Sequence, residues 1–221
     1  MGYTKIDLTS NKLVMRGAQF LPVGGTIATL SSLYPMNDIP FGTEIFVHNA
    51  KYQNYDIITY IPEAYDDVSD DFIPGWANAY EEIFNDPVSL GAGFWAQSPN
   101  GYPLYQIGEV ASNDWIKITI PAGLLTMVTN PFPSSANPNN VSVVNWDVNI
   151  PYGTEIMFYN GASYDIYRYI DEAYDYISDD FIPGWANAYE DFVNTDIIKC
   201  AESFWVLSTK EIDVVFNNPI K

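Results

Sequence analysis

Polar and apolar residues alternate over 5–8 (Lys5, Ile6, Asp7, Leu8), the period of a half-buried strand. A short apolar run at 13–15 follows a polar turn. The same pair recurs at 115–120 and 124–128, separated by Pro121-Ala122-Gly123, which is a turn signal. β-rich runs at 44–48 and 56–60 flank a polar loop. Their counterparts are 155–159 and 165–169, where Asn160-Gly161, a strong hairpin dipeptide, opens the connection. Further strands are predicted at 93–97, 104–110, 203–207 and 213–216. Many short strands between Gly, Pro and Asn turns predict a sandwich or a small barrel. One segment reads differently. After Pro74-Gly75, the residues Trp76, Tyr80 and Ile83 recur at helical spacing, and Ala77, Asn78, Ala79, Glu81 and Glu82 fill the other faces. That spacing predicts a helix of two to three turns there and a second over 184–193. Residues 26–33 fit either a short strand or a helical turn.

The pattern is duplicated. Residues 63–82 return as 172–191, differing only where Asp67 becomes Tyr176, Val68 becomes Ile177 and Glu82 becomes Asp191. Weaker matches extend both ways: Pro40-Phe41-Gly42-Thr43-Glu44-Ile45 with Pro151-Tyr152-Gly153-Thr154-Glu155-Ile156, and Phe94-Trp95 with Phe204-Trp205. The expected fold is mainly β, with two tandem homologous sandwich or barrel-like units at 1–112 and 113–221, each carrying one short helix. A copy of this size is a domain rather than a solenoid repeat.

Composition narrows the partners. The 221 residues are 48% hydrophobic, enough for a core, and only 17% charged, with 28 acids against 9 bases and a net charge of −19. Groove-bound nucleic acid is excluded as a partner class, because it requires clustered Lys and Arg. No apolar run approaches a helical membrane span. A single cysteine, Cys200, leaves no intrachain disulfide. Met1-Gly2 followed at once by a strand pattern reads as a trimmed start, so the expected location is extracellular or at the cell surface with a signal peptide removed.

The order of short pieces resembles a family of uncharacterised secreted bacterial β-rich repeat proteins. Those pieces are Pro121-Ala122-Gly123, Thr129-Asn130-Pro131-Phe132, Gly42-Thr43-Glu44-Ile45, Gly93-Phe94-Trp95 and Gly108-Glu109-Val110. The second unit departs from the order, with Ser203 before Phe204-Trp205 and no closing Gly-Glu-Val. The resemblance implies secretion and β-rich units and supplies no activity.

Two groups of residues carry candidate chemistry. Residues 54–86 hold nine acids and no base, and 163–196 hold nine acids with Arg168. Calcium takes several oxygen ligands, and Asp66, Ser69, Asp70 and Asp71 offer them, as do Asp175, Ser178, Asp179 and Asp180 in the second copy. A solvated acidic loop would read the same way. The second group is Tyr65, Trp76, Asn78 and Tyr80, repeated as Tyr174, Trp185, Asn187 and Tyr189. Exposed Tyr and Trp stack on sugar rings and anchor interfaces, whereas buried ones would simply build two equal cores. Catalysis finds no support: His48 is the only histidine, its counterpart is Tyr159, and no nucleophile, zinc or phosphate-loop motif occurs.

The near-identity of 63–82 and 172–191 exceeds what packing requires, since cores tolerate volume-conserving swaps. A binding site, a subunit contact or recent local gene conversion would each produce it. The leading expectation is a non-enzymatic surface protein that assembles with itself as a fibre, layer or adhesive subunit, with calcium at its acidic loops. The alternative is a carbohydrate-binding module with two aromatic sites.

Overall fold

A computed structural model describes residues 2–35 and 38–219. The protein is mainly β. The first unit contains β1 (Gly2–Leu8), β2 (Val14–Gly17), β3 (Glu44–Asn49), β4 (Asn54–Asp66), β5 (Asp71–Ala77), β6 (Gly93–Gln97) and β7 (Tyr102–Gly108). The second contains β8 (Trp115–Ile120), β9 (Thr126–Thr129), β10 (Val144–Trp146), β11 (Glu155–Tyr159), β12 (Tyr164–Asp175), β13 (Asp180–Ala186), β14 (Ser203–Leu207) and β15 (Ile212–Asn217). Residues 26–33 resolve into a single helical turn, α1 (Leu30–Leu33), capped by Thr29 and Ser32.

The five-stranded sheets of the two units share one topology, and their cover sheets differ by one strand. The first has a five-stranded antiparallel sheet in the order β2-β6-β3-β4-β5, covered by the pair β1-β7. The second has β9-β14-β11-β12-β13, covered by β10-β15-β8. Each cover sheet shares a core with its five-stranded sheet, making a sandwich rather than a closed barrel. Ile6, Leu8 and Leu104 meet Ile45, Ile58, Trp76 and Phe94 in the first core, and Ile120, Val214 and Phe216 meet Ile156, Trp185 and Phe204 in the second.

The two sandwiches stack through their five-stranded sheets. Met15, Trp95, Met127 and Trp205 form a third cluster, flanked by Phe46, Leu125, Met157 and Tyr159. The contacts are reciprocal, as in a two-fold interface. Trp95 meets Tyr159 edge-on at 5.0 Å between ring centroids, and Trp205 meets His48, the counterpart of Tyr159, at 4.7 Å. This explains why Phe94, Trp95 and Ala96 are all buried instead of alternating: one face of β6 serves its own sandwich, the other serves the neighbouring unit. Close approach depends on glycine. A Cβ on Gly17 would lie 2.1 Å from Thr129 Cγ2, and one on Gly93 would lie 2.5 Å from Met127 Cγ. Buried Gln19 ties the seam, its Nε2 donating to Asn130 O at 2.8 Å and Phe132 O at 3.1 Å.

The predicted helices over 75–84 and 184–193 are not formed. Their first residues instead lie in strands β5 and β13, followed by tight turns. Tyr60 pairs with Trp76, and Tyr169 with Trp185, across long hairpins that no local propensity reveals. The helical spacing was fortuitous. Trp76 points into the core, Tyr80 into solvent, and Ile83 lies over Gly75. Glu81 and Glu190 have positive φ (62° and 64°), which ends any helical path. A register shift falls between Ile61 and Ala64, at Pro62, and the same shift falls between Ile170 and Ala173, where Asp171 takes the place of the proline.

Burial assigns Trp185 to the core, so Trp185→Ala is expected to cost about 3–5 kcal/mol of unfolding free energy in urea denaturation. A loss below about 1 kcal/mol would contradict that assignment.

Candidate functional site

The near-identical segments are hairpins with their return turns, and most of the fixed polar side chains hold backbone. At the first tip Asp66 accepts from Val68 N at 3.2 Å and from the Ser69 hydroxyl at 2.7 Å. Asp70 takes a left-handed conformation with φ 56°, one that Asp tolerates better than most residues. Its carboxylate accepts from the Tyr65 hydroxyl at 2.9 Å, which raises the Tyr65 pKa. Asp71 accepts from Phe72 N at 2.8 Å. The second tip repeats this set with Asp175, Ser178, Asp179, Tyr174, Asp180 and Phe181. The eight residues read as calcium ligands therefore sit at two hairpin tips, where those hydrogen bonds engage most of them. Among the described residues no three His, Cys, Asp or Glu converge as metal ligands.

Asn78 and Asn187 do comparable work one turn later. Asn78 Oδ1 accepts from Tyr80 N at 2.8 Å and Glu82 N at 3.1 Å, while its Nδ2 donates to Glu82 at 3.2 Å. Asn187 repeats the arrangement with Tyr189 N, Asp191 N and the Asp191 carboxylate. The turn also bonds back to β4 and β5, through Tyr65 N to Glu81 O and Phe84 N to Trp76 O. The asparagines thus position the tyrosines beside them and spend their own polar atoms doing so.

The aromatic candidates divide. Trp76 and Trp185 are each 1% exposed, so the structure overturns their reading as ligand platforms. They lie against Tyr60 and Tyr169 in the two cores, with indole N–H groups that meet no hydrogen-bond acceptor. Tyr65 and Tyr174 pack on Phe72 and Phe181 at the tips. Tyr80 and Tyr189 are 84% and 86% exposed, and neither side chain carries a ring contact.

Those two tyrosines edge two equivalent grooves. In the first unit a cavity of about 610 Å³ is lined by Tyr55, Asp56, Ile57, Asn78, Ala79 and Tyr80. In the second, one of about 370 Å³ is lined by the equivalent Tyr164, Asp165, Ile166, Asn187, Ala188 and Tyr189. The Tyr-Asp-Ile triplets were missed as site residues. Their signal was present, because residues 55–57 and 164–166 are identical and each places an isoleucine on the exposed sheet face. Each groove runs along the stretch of β4 or β12 that extends beyond its partner β5 or β13, with Tyr80 or Tyr189 at its rim. Asp56 and Asp86 supply carboxylates in the first and Asp165 in the second, a surface for a ligand with flat apolar faces and hydroxyl groups. Glu190, with Arg168, lines a cavity that adjoins the second groove through Ile166, Asn187 and Ala188; the excess of acid over base across the chain disfavours polyanions. No family model, curated protein or solved structure matches the chain.

Hydrogen bonding lowers the pKa of both tip aspartates, from Ser69 and then Val68 N for Asp66, and from Ile177 N and then Asn194 and Ser178 for Asp175. A folded-state pKa below the unfolded one gives stabilisation that is complete above the ordinary value of about 3.9 and is lost as pH falls through the lowered one. Amide protection at Val68 and Ile177, followed by NMR, should therefore hold constant from about pH 7 to 5 and be lost only below the ordinary aspartate value of about 3.9. Loss of protection near neutral pH would contradict these bonds.

Proposed function

We propose that the protein is a non-enzymatic, extracellular carbohydrate-binding protein with two like sites, one in each groove beside Tyr80 and Tyr189. The observation that carries this reading is the exposure of the two tyrosines on turns that the chain has kept identical and locked. An exposed aromatic ring costs solubility unless it has a use, and a platform held rigid loses little entropy on binding. Sugar rings present flat C–H faces to an aromatic ring and hydroxyls to a carboxylate. The acidic surroundings favour neutral or amine-bearing saccharides over sulfated or uronic ones. Two weak sites on one rigid body gain by avidity on a polyvalent glycan surface.

Self-assembly is a second reading, favoured by the exposed tip residues Val68, Phe72, Ile177 and Phe181. The outer edges of the two five-stranded sheets, β5 and β13, oppose lateral growth by strand addition. Pro74 and Pro183 lack an N–H, and Phe72 N and Phe181 N are already bonded to Asp71 and Asp180. Assembly would proceed through the tips or along the cover-sheet edges β1, β8 and β10.

Glycan retention separates the readings. Tyr80→Ala combined with Tyr189→Ala should abolish retention on a glycan array while leaving the urea midpoint nearly unchanged, since both side chains are exposed and uncontacted. Each single variant should retain one site and lose avidity. Full retention by the double variant, or a solution mass far above 24.9 kDa that falls when Phe72 and Phe181 are replaced by Ser, would overturn the lectin reading in favour of assembly.

A further inference from the structure

The seam between the units is reciprocal in its core but not at its two ends. At one end the β3–β4 loop of the first unit reaches the residue before β9, where Gln53 Nε2 donates to Leu125 O at 3.0 Å. At the other end the chain between Tyr159 and Tyr164 is two residues shorter than that between the equivalent His48 and Tyr55. A groove of about 480 Å³ lies there, between β2 and the β11–β12 hairpin. Arg16 lines it, at the position that Val128 occupies in the second unit.

Arg16 is held but unspent. Its side chain is 21% exposed, and its main-chain carbonyl accepts from the buried Ser203 hydroxyl. Nη1 donates to Met15 O at 2.7 Å, and the nearest carboxylate oxygen, on Glu202, is 4.0 Å away. Among the described residues the guanidinium has no other acceptor, although it carries five N–H donors. Desolvation lowers its pKa, the sign of a charge whose surroundings do not fully compensate it. Lys199 also lines the groove, so two of the nine basic side chains meet here in a protein of net charge −19. The remaining walls include Leu13, Phe158, Tyr167 and Ile197. Apolar walls with a few convergent polar groups are the usual make-up of a small-molecule site, and this volume is within the usual range.

We propose that this groove binds a small organic monocarboxylate with an apolar body, the Arg16 guanidinium taking the carboxylate and Lys199 lying beside it. Guanidinium matches carboxylate in a two-pronged fork. The carboxylate is drawn by the guanidinium donors that have no acceptor and not by net charge, since Asp165 and Glu202 on the same groove offset Arg16 and Lys199; those two acids oppose a polyanion. The groove shares Asp165 and Tyr167 with the cavity beside Tyr189, but Arg16 and Lys199 line only this one, and the inference rests on them.

The test uses benzoate and its uncharged analogue benzamide on the whole protein, read by saturation-transfer NMR and calorimetry. Benzoate should bind at least about tenfold more tightly than benzamide, and Arg16→Gln should remove that preference. Tyr80→Ala with Tyr189→Ala should leave benzoate binding unchanged. If Arg16→Gln does not fold, Lys199→Gln at its exposed position should weaken benzoate several-fold and spare benzamide. Equal affinity for the two probes, no transfer to benzoate up to about 10 mM, or unchanged benzoate binding in the folded variants would overturn the proposal.

Discussion

Face-to-face packing of the two five-stranded sheets is the constraint on which the rest depends. It removes Trp95, Trp205, Met15 and Met127 from water together, and each fully buried large side chain contributes about 1.5–3 kcal/mol. It requires Gly17 and Gly93 where the backbones approach. It also accounts for the one histidine. His48 lies edge-on to Trp205 as Tyr159 does to Trp95, and burial lowers its pKa, keeping it neutral at pH 7. A single unit would expose this apolar face, so duplication in one chain supplies the partner that a homodimer would otherwise provide.

From that stacking follows the placement of everything variable. The inner strands are covered on both faces, which leaves the far ends of β4 and β5, and of β12 and β13, free to project as long hairpins. The near-identical segments lie there. Their fixed aspartates and asparagines are turn chemistry, whose left-handed residues and side-chain acceptors tolerate few substitutes. Turn chemistry explains why Asp66, Asn78 and Glu81 are kept. It does not explain why Tyr80 is kept with its side chain in water, and the proposed binding role rests on that remainder.

Much of the fold was legible from pattern alone. Alternation located β8, and short apolar runs located β6, β11 and β14 at their observed limits. The internal match implied two units before any contact was known. The failures have physical causes. Trp76, Tyr80 and Ile83 mimic a helical stripe, but long-range pairing with β4 decides their conformation, and a local window does not contain β4. Trp76 and Trp185 looked like platforms beside acidic loops, whereas the strand places them on the inward side. The grooves were partly legible: Tyr80 and Tyr189 stood out, while the floor triplets are distant in sequence and join them only through the hairpin.

The central claim is that one rigid body presents two like saccharide sites. It is tested most directly by counting ligands per chain, using native mass spectrometry with the oligosaccharide that the array selects. The account predicts two bound per 24.9 kDa chain, falling to one in Tyr189→Ala and to none when Tyr80→Ala is added. A single bound copy in the unaltered protein, or two that persist in the double variant, would contradict it.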